Sequence, residues 1–320
     1  MNQPTAIETP IQTAREITLG DAHDAFLDEE LIGASAETMR WYKCRLGLFI
    51  RAIGPDLKLS DLTKRHLIDW WRALEARTQA DPPTLTPDTM HGYVRAARKI
   101  LSWLYDSHLI VDDLLKYVQL PTLPERQRKG VRDDVVISII EATAGNLRDR
   151  AIILFMESTG ARRGGVSSLR LDDLNTTASP PYNRRATVHE KGKKAREVFM
   201  SLAAFEALVA YLAIRPKSKS DFVFLDQRPQ RQNNGLKPGA INQMIARYKR
   251  ALGITGTCSP HQWRHRFCRR LLKRRLPLST AQQLLGHKNI NVTASIYGNL
   301  LVDELQEAFD ATYAPPDSQD

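Results

Sequence analysis

The chain has 320 residues, 42% of them hydrophobic, and a formal net charge of +10. This length is enough for two ordinary domains with separate cores. Three cysteines, Cys44, Cys258 and Cys268, are too few for a disulfide framework and fit a reducing compartment. No apolar run approaches the length of a membrane span, and residues 1–20 lack the features of a signal peptide, so we expect a cytoplasmic protein without membrane contact.

The positive charge is concentrated in the middle of the chain. Residues 1–125 hold 14 Lys and Arg against 18 Asp and Glu, residues 126–300 hold 32 against 12, and residues 301–320 hold none against 6. Such a basic segment favours nucleic acid as the partner, because neutralising phosphates releases counterions. A basic ribosomal or metabolic protein would share this composition.

The first third of the chain has the periodicity of helices. After residues 1–18, which are polar and expected to be flexible, apolar residues recur with helical spacing over 21–31, 36–53, 62–76 and 88–104. Asp61 or Thr63 can cap the third helix, and Thr86-Pro87-Asp88 is a typical start for the fourth. We therefore expect a helical domain over residues 19–117.

Prolines and a basic run with few apolar anchors predict a linker over residues 118–131. A second domain, residues 132–300, should combine helices with a small β-structure. Alternation over 186–200, with a turn at Lys191-Gly192, predicts a β-hairpin, and 222–225 is a candidate short strand. Helices are predicted over 133–144, 146–157, 239–251, 260–273, 279–285, 292–297 and, opening an acidic tail at 301–320, over 301–309.

The helix predicted over 260–273 carries an arginine on its apolar face. At about 100° per residue, Arg264 falls near the middle of an apolar arc, so its side chain should point inward. The arc consists of Phe267, Cys268, Leu271 and Leu272. A buried guanidinium needs a partner, and no acidic residue occurs between Asp226 and Asp303. A phosphate is the candidate partner, and a salt bridge to an acidic side chain is the alternative.

Further residues near Arg264 in sequence can also contact or attack a phosphate. They are His261, His287 and Tyr297, and together with Arg264 they describe phosphodiester cleavage without an evident need for a metal. The opposite face of the helix is basic, as is typical of a solvated surface or of a surface that meets a polyanion. This face carries Arg266, Arg269, Arg270 and Lys273.

Two further segments complete a pattern with SPHQWRHRF and LLGHKNINVTASIY: STGARRGGVSSLRLDDL around Arg162 and HEKGKKAREV around Lys191. In this order and on these elements, the segments resemble the tyrosine recombinase, or phage integrase, family of site-specific DNA recombinases. The resemblance covers nearly the whole chain. It implies a mainly α fold with a small β-sheet or hairpin, in which a helical, SAM-like core-binding domain precedes an α+β catalytic domain.

The resemblance assigns phosphate binding to three residues. Arg162 and Arg264 would hold the non-bridging oxygens of the scissile phosphate, a task that suits the planar fork of a guanidinium group. His287 would donate a hydrogen bond to the same phosphate.

Three other residues would move protons and form the covalent bond. Tyr297 would attack, giving a 3′-phosphotyrosyl link and a free 5′ hydroxyl. Lys191 would protonate the leaving 5′ oxygen, and His261 would assist proton transfer. Because the tyrosyl ester retains the phosphodiester energy for rejoining, we expect neither a metal nor another cofactor.

The sequence departs from the family pattern near these residues. The acidic residue usually found three positions after the first arginine is Gly165 here, so support for Arg162 must come from elsewhere. The spacing from His287 to Tyr297 is one residue longer than in many relatives. Arg163 adjoins Arg162, but the Thr-Gly-x-Arg pattern favours Arg162 as the catalytic arginine.

Alternative hypotheses remain open on the sequence alone. Cys258, His261, His265 and Cys268 have the spacing of a zinc site. A DNA-binding protein of the same fold without catalysis is a second alternative, and DNA relaxation of the type IB topoisomerase kind is a third.

The resemblance also implies partners. We expect double-stranded DNA at specific recombination sites, a homo-tetramer acting on two sites, association with the nucleoid, and integration, excision or resolution of a mobile element or replicon. The acidic tail could dock on a neighbouring subunit or cap its own domain. The candidate DNA-binding residues are Arg40, Lys43, Lys64, Arg65, Arg95, Arg98, Lys99, Arg126, Arg128, Lys129, Lys193, Arg266, Arg269 and Arg270.

Overall fold

A computed structural model describes residues 16–123, 130–175, 183–190, 194–228, 234–256, 258–274, 276–286 and 309–310. The chain divides into two compact units, Met1–Glu125 and Arg126–Asp320. This division falls within the predicted linker. No helix in the described ranges is long and apolar enough to cross a membrane.

The described residues of the first unit form four α-helices: α1 (Leu19–Glu29), α2 (Ala36–Ile53), α3 (Lys64–Gln79) and α4 (Pro87–Asp106). Thr63 is the N-cap of α3, and the Thr86 side chain accepts a hydrogen bond from the Thr89 backbone at the start of α4, as the sequence predicted. The inward faces of the helices form one core. In it, the rings of Phe49 and Trp70 pack edge to face, with their centroids 4.8 Å apart.

The second unit contains helices and a three-stranded antiparallel sheet of order β1-β2-β3. The strands are β1 (Leu174–Asn175), β2 (Arg185–Glu190) and β3 (Lys194–Phe199). Before the sheet come α5 (Asp133–Ala142), α6 (Leu147–Thr159) and α7 (Arg163–Ser167); after it come α8 (Leu202–Ile214), α9 (Pro238–Ala251), α10 (Pro260–Lys273) and α11 (Leu278–Leu285).

Helix α6 is the central helix of the second unit, since it is buried on almost every side, including Ala151 to Met156. A buried carboxylate anchors its first turn. Asp149 is fully buried and pairs with Arg148, with Arg247 at 2.6 Å, and with the Tyr248 hydroxyl, which donates at 3.1 Å. This cluster ties α6 to α9.

The structure differs from the sequence prediction in several elements of the second unit, among them the short elements α7 and β1, which were not predicted. Residues 222–225 form isolated bridges, Arg170↔Phe222 and Leu225↔Gly235, rather than a strand. Helix α8 was missed because its sequence, LAAFEALVAYLAI, is apolar nearly all round and shows no amphipathic period. The predicted Lys191-Gly192 turn, helix 292–297 and residues 301–308 of the last predicted helix lie outside the described residues.

Candidate active site

A tight turn between α6 and α7 presents Arg162. Gly160 ends α6 with φ +59°, and a Cβ placed there would lie 2.3 Å from Cδ1 of Phe267 on α10. The turn therefore requires glycine, both for its left-handed backbone and for the close approach of α10. Thr159 fixes the same turn, because its hydroxyl donates to the Phe155 carbonyl at 2.6 Å and accepts from the Ala161 backbone at 3.2 Å.

Arg264 points inward from α10, as predicted, with only 4% of the residue exposed. Its guanidinium donates to the Gly160 carbonyl at 2.7 Å and to the Leu285 carbonyl. A guanidinium has five N–H donors, so donors remain for a phosphate. Burial, and next the positive charge of Arg162, lower the pKa of Arg264 to about 9, while Glu190 opposes this shift. Arg264 is therefore protonated at neutral pH.

A carboxylate from the hairpin joins the two arginines. The Arg162 backbone N–H donates to Oε1 of Glu190 at 3.2 Å, and the Arg162 guanidinium donates to Oε2. Nη1 of Arg264 lies 3.6 Å from Oε1. The alternative partner for Arg264, an acidic side chain, is therefore present, although none is near in sequence, because β2 brings Glu190 from far along the chain.

A third arginine, Arg196 on β3, contacts the same carboxylate at 3.3 Å and is 90% buried, since its side chain is 10% exposed. Its Nη1 donates to the Leu284 carbonyl, so arginines satisfy two carbonyls at the C-terminal end of α11. Gly286 ends α11 with φ +64°, and a Cβ there would lie 2.5 Å from Cδ of Arg196. Burial lowers the pKa of Arg196.

Neither Glu190 nor Arg196 was predicted, although the period of two along a strand could have found both. Glu190 shares its face of β2 with buried Ala186 and Val188, and Arg196 pairs with Val188 in register. A charged residue on the buried face of a strand needs a partner, and these two residues are partners of each other.

Of the remaining predicted catalytic residues, His261 lies within the described part of the chain. His261 is exposed, lies one turn before Arg264 on α10, and meets the His265 ring edge to face at 4.3 Å. Lys191, His287 and Tyr297 lie outside the described residues. In the sequence, Lys191 directly follows Glu190, and His287 directly follows Gly286.

The alternative zinc site finds no support in the geometry. Within the described ranges, no three His, Cys, Asp or Glu side chains are grouped to hold a metal ion. Cys268 instead packs with Phe267 and Leu285. Burial raises the pKa of the Cys268 thiol to about 11, which keeps it neutral.

Several arginines predicted to bind DNA contact the protein itself. Arg98 donates to the carbonyls of Leu115 at 2.9 Å and Val118 at 2.6 Å. Arg266 pairs with Asp133, and Arg270 pairs with Glu157. These three side chains hold segments of their own unit together.

Other predicted DNA-binding residues lie on the surface of the first unit. The exposed ones are Arg40, Lys43, Lys64, Arg65, Arg95 and Lys99. Among these, Arg95 stacks over the Trp41 ring at 4.7 Å, Arg65 pairs with Asp69 at 2.7 Å, and Lys99 pairs with Glu30. Arg126, Arg128, Lys129 and Lys193 lie outside the described residues, and Arg269 is half-buried on α10.

Comparison with known proteins gives consistent results. Residues 130–303 match the model of the phage integrase family. Tyrosine recombinase XerA of Pyrococcus horikoshii is 30% identical over 200 residues, covering 62% of this chain and 67% of that protein. Tyrosine recombinase XerD of Mycobacterium tuberculosis is 29% identical over 314 residues, covering 91% of this chain and 97% of XerD. The fold is similar to that of a lambda integrase tetramer bound to a Holliday junction, with a TM-score of 0.70 and 16% identity. The match covers 90% of this chain and 81% of the lambda integrase chain.

Three arginines gathered on one buried carboxylate have the chemistry to bind an anion such as a phosphodiester. The family match extends over more than half of the chain. The chain belongs to the phage integrase family of tyrosine recombinases, enzymes that cleave and rejoin DNA strands.

Proposed function

We propose that this chain is a two-domain, site-specific DNA recombinase in which Tyr297 is the nucleophile. The first unit acts as the core-binding domain and the second as the catalytic domain. Full-length similarity to XerD supports this division, because it spans both units.

The convergence of Arg162 and Arg264 on one carboxylate carries the proposal. Two guanidinium groups fixed at one point can bind both non-bridging oxygens of a scissile phosphate. In a pentacoordinate transition state these oxygens gain negative charge, so fixed donors bind that state more tightly than the ground state. Arg264 is held by the Gly160 and Leu285 carbonyls, and 41% of the Arg162 side chain is exposed, which leaves it accessible to a ligand.

The reaction proceeds through two transfers of the phosphoryl group. The Tyr297 oxygen bonds to phosphorus, the bond to the 5′ oxygen breaks, and Lys191 gives that oxygen its proton. His261 assists in moving the tyrosine proton, and His287 hydrogen-bonds the phosphate. A 5′ hydroxyl from the second DNA then attacks the phosphotyrosine and displaces Tyr297, so no external energy source is consumed.

The assembly we propose is a homo-tetramer on two double-stranded DNA sites. The lambda integrase of similar fold has been solved as a tetramer on a Holliday junction, which supports this arrangement. Residues 126–300 have a formal net charge of +20, which provides the electrostatic attraction to DNA. Association with the nucleoid follows if the sites are chromosomal.

The test is a covalent trapping assay. Genomic fragments retained by a Tyr297→Phe variant would first identify the binding site, and a nicked suicide duplex carrying that site would then be incubated with protein. We expect a denaturation-resistant protein–DNA adduct with the natural chain and none with Tyr297→Phe at equal DNA binding. Tight, specific binding without any adduct would instead favour a non-catalytic DNA-binding protein.

A further inference from the structure

We propose that Glu190 is the positioning residue of this active site and replaces, from strand β2, the carboxylate that relatives carry at the position of Gly165. This inference rests on the proposed recombinase function. Glu190 does not touch the DNA; it acts by fixing Arg162 and Arg264 in the orientation that binds the scissile phosphate.

The contacts of Glu190 suit this role. Its side chain is only 6% exposed, yet its two oxygens meet the backbone and guanidinium of Arg162, the guanidinium of Arg196 at 3.3 Å and that of Arg264 at 3.6 Å. A buried carboxylate with several charge-assisted contacts has little freedom to move. It therefore sets the spacing of the arginine groups around it.

The charge balance also fits an anionic ligand. Three guanidinium groups and one carboxylate leave an excess of two positive charges. A phosphodiester carries one negative charge, and further charge develops on its oxygens in the transition state. Glu190 thus prevents mutual repulsion of the arginines while leaving enough positive charge for the phosphate.

Gly165 lies directly beside Glu190. A Cβ at Gly165 would lie 3.5 Å from Cγ of Glu190 and 3.4 Å from Cβ of Val188. These are ordinary contact distances, so a side chain at position 165 would begin in direct contact with the Glu190 side chain. The two positions share one carboxylate site, which can be supplied from the helix or from the strand.

The decisive experiment measures single-turnover cleavage of the suicide duplex, DNA affinity and thermal melting for the natural chain and four variants. Glu190→Gln keeps the shape and removes the charge, Glu190→Ala removes the group, and Glu190→Ala with Gly165→Glu moves the carboxylate to the helix. Glu197→Gln is the control, because Glu197 is a half-exposed acid on the same hairpin that pairs with Arg185 at 3.4 Å.

We expect Glu190→Gln to cleave about 100-fold more slowly, as an arginine displaced by about 1 Å would, with DNA affinity within threefold of the natural chain. Glu197→Gln should cleave within twofold of the natural rate. The relocated carboxylate should cleave at least about tenfold faster than Glu190→Ala alone.

Natural-rate cleavage by Glu190→Gln would overturn the inference. If the single variants unfold, the double variant Glu190→Ala with Gly165→Glu is decisive. Recovery of both melting temperature and cleavage would support a positioning role for the carboxylate. Recovery of melting temperature alone would show that the carboxylate is purely structural. Failure of the natural chain to form an adduct would count against the recombinase function itself and would be visible before any variant is compared.

Discussion

Arg264→Lys separates the geometry of the arginine from its charge. Arg264 bridges two elements, donating to the Gly160 carbonyl at 2.7 Å at the end of α6 and to the Leu285 carbonyl at the end of α11. A lysine ammonium is a compact charge that cannot reproduce this planar fork. The substitution therefore preserves the positive charge but loses at least one of the bonds that fix its position.

The magnitude of the effect follows from those bonds. One buried carbonyl left without a donor costs about 1–3 kcal/mol of folding stability. Loss of one fixed donor to the charge that develops in the transition state costs about 100- to 1000-fold in rate, equivalent to about 3–4 kcal/mol. Cleavage should thus fall far more than DNA affinity, which depends on many phosphate contacts.

The assay is single-turnover cleavage of the suicide duplex at saturating protein, with gel-shift affinity measured at the same salt concentration. Arg250→Lys, an exposed arginine in the last turn of α9, is the matched control and should cleave within twofold of the natural rate. Unchanged cleavage by Arg264→Lys would refute the role of Arg264 in holding the phosphate. An equal loss of affinity and rate would show general DNA binding instead.

Three further predictions concern stability and thiol chemistry. Gly160→Ala should lower the free energy of unfolding by about 2–4 kcal/mol, because Gly160 has a positive φ and α10 approaches it closely. Gly164→Ala, which has open space around it, should be neutral or raise the free energy of unfolding by up to about 1 kcal/mol. Urea titration measures both variants. Asp149→Ala should cost about 3–5 kcal/mol in the same titration, since it leaves the buried Arg148 guanidinium without its carboxylate. Ellman's reagent at pH 8 should label only exposed Cys44 in the native chain and all three cysteines after unfolding. Burial raises the pKa of the Cys268 thiol from 9.0 to about 11, so this thiol stays protonated in the native chain. The free energy of unfolding should therefore fall as the pH rises from about 9 toward 11. Native labelling of Cys268, an Asp149→Ala protein as stable as the natural chain, or equal effects at the two glycines would contradict these assignments.

The sequence predicted most of the helical fold because amphipathic periods and caps are local features. Helix α2 and helix α10 begin and end at their predicted residues, and Thr86 caps α4. Helix α8 escaped prediction because its exposed face is also apolar, with Leu202, Val209 and Ile214 in solvent, so no polar stripe marks a helical period.

The site was predictable only where chemistry follows from motifs. The sequence pattern identified Arg162 and Arg264, and in the structure both contact the carboxylate of Glu190. Glu190 was missed because its partners come from a loop, a strand and a helix that are distant in sequence. Arg266 and Arg270 were assigned to DNA, but non-local partners, Asp133 and Glu157, engage them within the protein. Tertiary pairing of charges cannot be deduced from the charge of a single helix face.

The central claim is that Tyr297 becomes covalently joined to DNA. The trapped adduct can be digested with nuclease and trypsin, and the peptide that carries the residual nucleotide can be sequenced by mass spectrometry. We predict a 3′-phosphotyrosyl modification at Tyr297 alone among the nine tyrosines of the chain. Attachment at another residue, such as Tyr313, or through a 5′ phosphate would contradict the account.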